Sequence, residues 1–540
     1  MSNTHLDWNK KFGAHSIAAM GGFRYTYFSY DCSDLATQYS TKGDDDKNPK
    51  LATGNDVYST VGGADDVWKN MQWYVSGDYN YMNKYFATLS VLAESNSRFG
   101  SNAAGGVKMF GVKWAIFPSI QLGWVLSNEN WFPKNSALDY LRLNVGYDIS
   151  GNDGISNYAA RTSFNTVRYN YTEIGMQLTN VGNEEVKWET TSKFNVGLQA
   201  NFLHNRLGLN ANFFIHSTKD LLALKSFENP IGGINNYWTN DGEVRNTGFE
   251  VGINGKPVAT KDWHLELGAT IGHYKNEIKS LANGDYTSSI YGDNNILTAV
   301  GHAVGVFYGY KTKGVFATTA DAENAGLYRV DETGAKQYFA AGDVIFDDVN
   351  PVNAKGENAP GQIDEADKVV IGDPNPDLYG NLFLNLNWKR FTLGVNFNYS
   401  LGNDVYNYQR SILNSGSTLY NQQVAEVGHW HYEGQVAELP RVNFGDPIGN
   451  NLFSDRWIED GSYLRMKNVR LTYQVPFPEA WQSWLQGLSV WVEGSNVFTL
   501  TKYTGSDPEF SINNNQLYQG IDCGNIVQGR VFSMGVKINL

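Results

Sequence analysis

Cysteine and proline are both scarce in this 540-residue chain, with two and 14 copies respectively. Cys32 and Cys523 stand far apart and define neither a disulfide framework nor a thiolate metal centre; both are expected as unpaired residues in loops. Charged residues make up 18%, below the roughly 25% of an ordinary soluble domain. Long apolar runs are missing too. The richest stretch, Trp114 to Leu126, is broken by Ser119, Gln121 and Gly123, whereas a helical membrane span needs about 20 apolar residues. Basic clusters are lacking and the net charge is -13, which disfavours a general nucleic-acid surface. No G-x-S-x-G, P-loop or CxxC occurs, and the nine histidines are scattered. No catalytic constellation or cofactor motif emerges.

Glycine and aromatic residues are abundant: Gly 56, Tyr 32, Phe 28 and Trp 15. Mean hydropathy is nevertheless -0.40. Heavy aromatic usage in a polar chain conflicts with a helical membrane protein. It agrees with a barrel, where lipid-facing and lumen-facing residues alternate and cancel in the average. The alternation is visible. Trp73, Val75, Gly77, Tyr79 and Tyr81 share one face, a turn at Met82-Asn83 follows, and Tyr85, Ala87, Leu89, Val91 and Ala93 resume that face. Phe194 to Phe202 and Leu207 to Ile215 repeat the pattern around His204-Asn205-Arg206, as do Leu382 to Trp388 and Phe391 to Tyr399 around Lys389-Arg390. Many segments alternate for about 9–11 residues, the length that crosses a bilayer at a tilt, against about 5–6 for ordinary strands. Trp73, Tyr81, Tyr85, Trp188, Trp388 and Phe391 stand near strand ends, as in interfacial girdles.

Connections alternate in length. Short ones are expected near 13–15, 82–83, 134–138, 204–206, 257–262, 389–390 and 476–487, and long ones near 32–67, 100–112, 152–185, 225–243, 281–380, 407–460 and 503–527. Short periplasmic turns and long external loops mark a barrel and disfavour a soluble β-sandwich or solenoid. Both cysteines fall on the long-loop side. The last segment alternates Phe532, Met534, Val536, Ile538 and Leu540 with polar or small residues. It resembles the C-terminal assembly signal of outer-membrane barrels, with Leu in place of the usual Phe. Counting segments gives about 15 strands, an odd number where bacterial single-chain barrels are even. Residues 1–12 read as a strand, not as an export signal. Both observations lead us to expect that an N-terminal part lies outside this sequence.

Several blocks carry a resemblance. They include "SDRWIEDGSYLRMKNVRLTYQVP" (454–476), "VWVEGSNVFTLTKYTGSDPE" (490–509), "VFYGYKTKGVF" (306–316), "VVIGDPNPDLYGNLFLNLNW" (369–388), "SRFG" (97–100), "WAIFPSIQLGW" (114–124) and "LRLNVGYDISGNDGI" (141–155). In this order they resemble the SusC/RagA-like TonB-dependent outer-membrane transporters over essentially the whole chain. The resemblance implies an all-β fold, a transmembrane antiparallel β-barrel of about 22 strands with a plugged lumen. Residues 1–540 would form its C-terminal part, an incomplete sheet without the plug domain. It further implies outer-membrane import of oligosaccharides or peptides, with a SusD-like surface lipoprotein as partner and TonB, ExbB and ExbD acting through the absent N-terminal part. A plug-less passive pore, or a surface glycan-binding or adhesive barrel, is the alternative.

One block departs from the family. In "FDDVNPVNAKGENAPGQIDEADK" (346–368) an insertion separates Asp348 and Asn350 from Asp364 and Asp367, which breaks the close oxygen spacing of a calcium loop. A solvated polar loop is expected and no metal is assigned. His429-Trp430-His431 would put two imidazoles on one face of a strand, but a third ligand is not evident. Trp430, Tyr432, Tyr518 and Asn525 are the ligand-contact candidates, drawn from loop aromatics and amides that also include Tyr286, Tyr291, Asn294 and Asn295. Flat rings and amides suit stacking on sugars or gripping peptide backbones.

Overall fold

The computed structural model describes residues 1–39, 56–133, 137–169, 173–281, 284–290, 293–478, 481, 485–509, 515–524 and 526–539. Among them, seventeen strands belong to one sheet. Two are three-residue stubs, Val107–Met109 and Thr499–Thr501. The other fifteen run from nine to 26 residues, the number expected from alternation.

The registers explain why these residues form strands. Between Trp263–Ser280 and Leu378–Trp388, Trp263 faces Trp388, Leu265 faces Leu386, Leu267 faces Leu384 and Ala269 faces Leu382. Glu266 opposite Asn385 and Gly268 opposite Phe383 lie on the other side. Apolar residues therefore meet apolar residues across each pair, as the period of two requires. The apolar face is the exposed one: Val75 is 63% accessible, Leu89 58% and Ile538 57%. A water-soluble sheet buries that face. A sheet that presents it outward is matched to lipid.

Short connections are tight enough to need left-handed backbone. Met82 and Asn83 have φ of 54° and 55°, and Lys389 has 52°. Each such non-glycine residue costs on the order of 1 kcal/mol or more. Asn80 compensates by accepting the Asn83 amide at 2.9 Å. Aromatic rings gather at this edge. In the first part of the chain, rings contact in series from Phe12 to His15, Tyr81, Tyr85 and Trp124. Later, Trp263, Trp388, Phe391 and Tyr473 do the same, with centroids 4.7–5.7 Å apart. Both ladders have the composition of an interfacial girdle. On the opposite face, the rings of Phe383 and Tyr379 lie over Gly268 and Gly272 of the neighbouring strand, in space a Cβ would take.

Two expectations about connections are corrected. Within 32–67 the residues 32–39 and 56–67 are strand and 40–55 lie outside the described residues: His15–Tyr39 pairs with Asp56–Tyr81 along its whole length. Cys32 consequently lies within a strand opposite Ala64. The other long connections are not plain loops, since their apolar residues build cores of their own.

The chain divides into two compact units, residues 1–128, 144–194 and 217–243, and residues 129–143, 195–216 and 244–540. In the first, hairpins Ser163–Tyr169/Glu173–Asn180 and Leu222–Ile231/Ile234–Asn240 stand outside the sheet. Phe99, Phe117, Ile155, Val186 and Trp188 form a buried cluster there. Trp188 donates its indole N–H to Glu94 at 3.0 Å. In the second unit, one cluster centres on Tyr310, Phe316, Val344, Phe346 and Ile363. Another holds Ile296, Phe307, Tyr406, Phe453, Trp457 and Ile521. These two clusters form an outer layer made from the connections 281–377 and 402–462, with Ile521 added from the last long connection.

Candidate functional site

The outer layer of the second unit carries the residues that sequence marks as functional. Its short helix Thr319–Ala325 starts at Thr318, whose side chain accepts the Asp321 amide, and ends at Gly326 with φ 63°. The helix buries Ala322 in the Tyr310/Phe346 cluster. Asp343, fully buried, receives Arg441 in a two-pronged pair at 2.8 and 2.9 Å and the Asn450 amide at 2.9 Å. This arrangement ties the segment around 441 to the strand Val344–Phe346. Two guanidiniums approach the Trp457 ring, Arg456 at 4.8 Å and Arg410 at 5.7 Å from its centre. Burial, with Arg410 nearby, pulls the Arg456 guanidinium down to about 10.

The block 346–368 is only in part a solvated loop: most of 349–360 is exposed, while Phe346, Ile363 and Asp367 are buried. Asp367 is fully buried. It accepts the amides of Val349 and Asn350 on one oxygen and that of Asp364 on the other, at 2.9–3.0 Å. Asp348 accepts from Gly361 at 2.6 Å, and Asp364 accepts from Ala354 and Ala366. The insertion folds back and brings all four residues into one knot. Backbone N–H groups engage both oxygens of Asp367 and Asp364 and one oxygen of Asp348, the usual means of satisfying such acceptors. Among the described residues no cluster of histidine, cysteine and carboxylate side chains is arranged to hold a metal ion.

The proposed ligand contacts scatter. Trp430 donates its indole N–H to Ala317 at 3.2 Å and its ring covers Gly342, so it fastens the layer internally. Tyr518 packs against the Trp457 cluster, and Asn295 is buried. Tyr432 and Tyr286 are exposed. Tyr291, Asn525 and the side chain of Asn294 lie outside the described residues. His429 and His431 do not sit on a strand; they follow the turn Val424–Gly428, with ring centres 3.8 Å apart.

Sequence reading missed a charged cluster on the strand Tyr463–Gln474. Arg465 is buried and pairs with Asp507 and with Glu509, and Lys467 also reaches Glu509 at 3.2 Å. Arg465 and Asp507 border a cleft of about 410 Å3 lined further by Asn496, Phe498, Pro508 and Arg530. Both halves of the cluster lie in blocks that carry the family resemblance, but their pairing needs the fold to be seen.

The outer layer should respond to acid in an unusual direction. Burial raises the carboxyl of Glu426, against the pull of His429 and Arg456. Burial also raises Asp404, reinforced by Asp373, Asp460 and Asp377. Both hold protons more tightly folded than unfolded. Their contribution to stability is full below the ordinary carboxylate range and is lost as pH rises through the raised values. Amide exchange at 404–407 and 424–429, corrected for intrinsic rate, should be slower near pH 5 than at about pH 7.5. Faster exchange at the lower pH would contradict the assignment.

A sheet with its apolar face outward, aromatic ladders at the short-turn edge and folded layers on the long connections defines an outer-membrane β-barrel wall. The chain belongs to the TonB dependent receptor-like, beta-barrel family, which matches residues 2–364. It is 27% identical to TonB-dependent receptor P3 of Formosa agariphila, over 100% of this chain and 52% of that protein. It is 25% identical to TonB-dependent receptor SusC of Bacteroides thetaiotaomicron, over 99% of this chain and 49% of that protein. The fold matches a chain of the RagAB peptide transporter with a TM-score of 0.79 at 22% identity, covering 99% of this chain and 55% of that one. The chain thus spans about half the length of the relatives it matches. The SusC/RagA resemblance read from the motifs stands, and with it the outer-membrane location.

Proposed function

We propose that this chain supplies the C-terminal wall and outer layer of a TonB-dependent importer of oligosaccharides or peptides. Its partner is a SusD-like surface lipoprotein, and TonB, ExbB and ExbD deliver the energy of the proton gradient to a plug-bearing N-terminal part. The observation that carries this reading is the join of a lipid-matched sheet to a packed outer layer built from its long connections. SusC-type relatives support it, and the RagAB peptide transporter shares the fold. In this division of labour, the wall provides passage and the outer layer meets ligand and partner.

The test is uptake by cells. Deletion of the gene should abolish growth on one class of oligomer, oligosaccharide or peptide, and leave growth on its monomers intact. Inactivating TonB should reproduce the defect. Uptake that depends on this gene but continues without TonB would instead establish a passive pore.

A further inference from the structure

The outward face of the wall changes character at a definite height. On the strand Trp263–Ser280 the outward positions run Trp263, Leu265, Leu267, Ala269, Ile271 and His273, with neither an amine nor a carboxylate among them. Lys275, Glu277 and Lys279 then follow on the same face. Tyr274 and Asn276, between them, turn to the other side and bond Asn375 and Asn246. A strand rises about 3.3 Å per residue and crosses the bilayer at a tilt of about 45°, so Lys275 stands roughly 28 Å above Trp263. The apolar band of an outer-membrane barrel is about 25 Å tall. The charges therefore begin just past the hydrocarbon, at the level of the outer-leaflet headgroups. The first unit has the same spacing. Lys69, exposed on the face of Trp73 and Val75, is as far from Tyr81 along its strand as Lys275 is from Trp263, and its ammonium lies 5.8 Å from the Tyr27 ring centre.

The charges on Trp263–Ser280 do not cancel. Glu277 meets Lys275 at 3.2 Å and Lys279 at 2.6 Å. Two ammonium groups thus share one carboxylate, and the Lys275 side chain keeps 69% of its surface open. The neighbouring strand Glu243–Ala259 adds a guanidinium. Asn246 and Asn276 bond across the two strands at 2.7 Å and Phe249 stacks on His273; the same register puts the exposed Arg245 across from Glu277. Glu243, next on that face, is engaged by Lys219 and by the Ser217 hydroxyl. Further strands of this sheet would join at its ends, whereas Trp263–Ser280 is paired on both sides, with Glu243–Ala259 and Leu378–Trp388. Anything that fills a barrel lumen meets the opposite face. The outward column of this strand is left to the membrane.

We infer that Lys275, Lys279 and Arg245 form a seat for the phosphate of an outer-leaflet lipid, whose acyl chains lie along the apolar column beneath them. The column and its cap match such a molecule from end to end. Leu267, Ile271 and Phe249 are 41%, 42% and 39% exposed below the cations, so chains and phosphate are met by one continuous strip of two strands. Ammonium and guanidinium groups are the natural partners of phosphate oxygens, the first as point charges and the second as a two-pronged donor. A zwitterion or a neutral sugar headgroup would leave the surplus charge unanswered.

The experiment uses the full-length protein, stripped of lipid in neutral detergent. It is titrated with monophosphorylated lipid A and, separately, with the same lipid after enzymatic removal of its phosphate, and bound lipid is counted by native mass spectrometry. The phosphorylated form should bind more tightly, and high salt should erase the difference, since exposed charges are screened. Lys275→Gln/Lys279→Gln should weaken binding of the phosphorylated form by about fivefold for each lysine removed and leave the phosphate-free form unaffected. Lys313→Gln, which removes an exposed lysine of the outer layer, should change neither. Equal binding of the two lipids by the unmodified protein overturns the inference, and that comparison needs no variant to fold. Equal binding by the double variant and its parent overturns the seat. Displacement of the lipid by millimolar inorganic phosphate would reveal a bare anion site and overturn the lipid as its occupant.

Discussion

Leu267→Arg should strip the folded protein from the outer membrane, while Asn385→Arg should leave it in place. Leu267 stands four residues above Trp263 and opposite Leu384 on the outward face. It is about halfway along the 9–11 residues that cross the bilayer. An arginine facing lipid at that depth costs roughly 2–4 kcal/mol, a large part of the stability of most folded proteins. Asn385 faces the other way and has Glu266 directly opposite. An arginine there gains a cross-strand partner, about 0.2–1 kcal/mol in its favour. Heat-modifiable migration of the full-length protein and its abundance in outer-membrane fractions would read the difference. Equal behaviour of the two variants would mean that the faces have been assigned the wrong way round.

The second large effect concerns Arg465. Its side chain is 3% exposed, and that of its partner Asp507 8%. Arg465→Ala would leave Asp507 buried without its counter-charge, a change that typically costs about 3–5 kcal/mol. The stretch 503–509 should detach from the strand Tyr463–Gln474 and become open to protease in detergent micelles, with a lower unfolding temperature. Replacing the pair together, Arg465→Met with Asp507→Leu, removes both charges and should recover most of the loss. Glu509 keeps Lys467 as a partner in that variant. Equal protease sensitivity of the single and double variants would show that packing, not the buried charge, holds the stretch.

The wall was legible in the sequence because the period of two is a local property. Trp73 to Tyr81, Leu382 to Trp388 and the segments around them declare their faces without any tertiary information, and the turns at Met82 and Lys389 follow from the break in alternation. The outer layer was not legible. Phe316, Val344, Phe346 and Ile363 are separated by polar stretches with no shared period, so the cluster they form could not be told from loop composition. The acidic block failed for a related reason. Spacing along the chain placed Asp348 and Asp367 apart, whereas the hydrogen bonds from Val349, Asn350 and Gly361 gather them. Trp430 was read as a ligand-contact candidate, but a tryptophan can fasten a loop as readily as greet a ligand. Only its bond to Ala317 reveals the first use.

The fastening of 415–445 has an evolutionary consequence. Asp343, Asn450 and Arg441 hold one end of the segment, and Trp430 on Ala317 and Gly342 holds the middle. The side chains that face outward take no part in those bonds. Substitution at Leu419, Val424 or Val436 is thereby uncoupled from folding of the layer. Selection can change that face while the anchor points stay constant, so homologues should diverge quickly at the surface of this loop and slowly at its bolts.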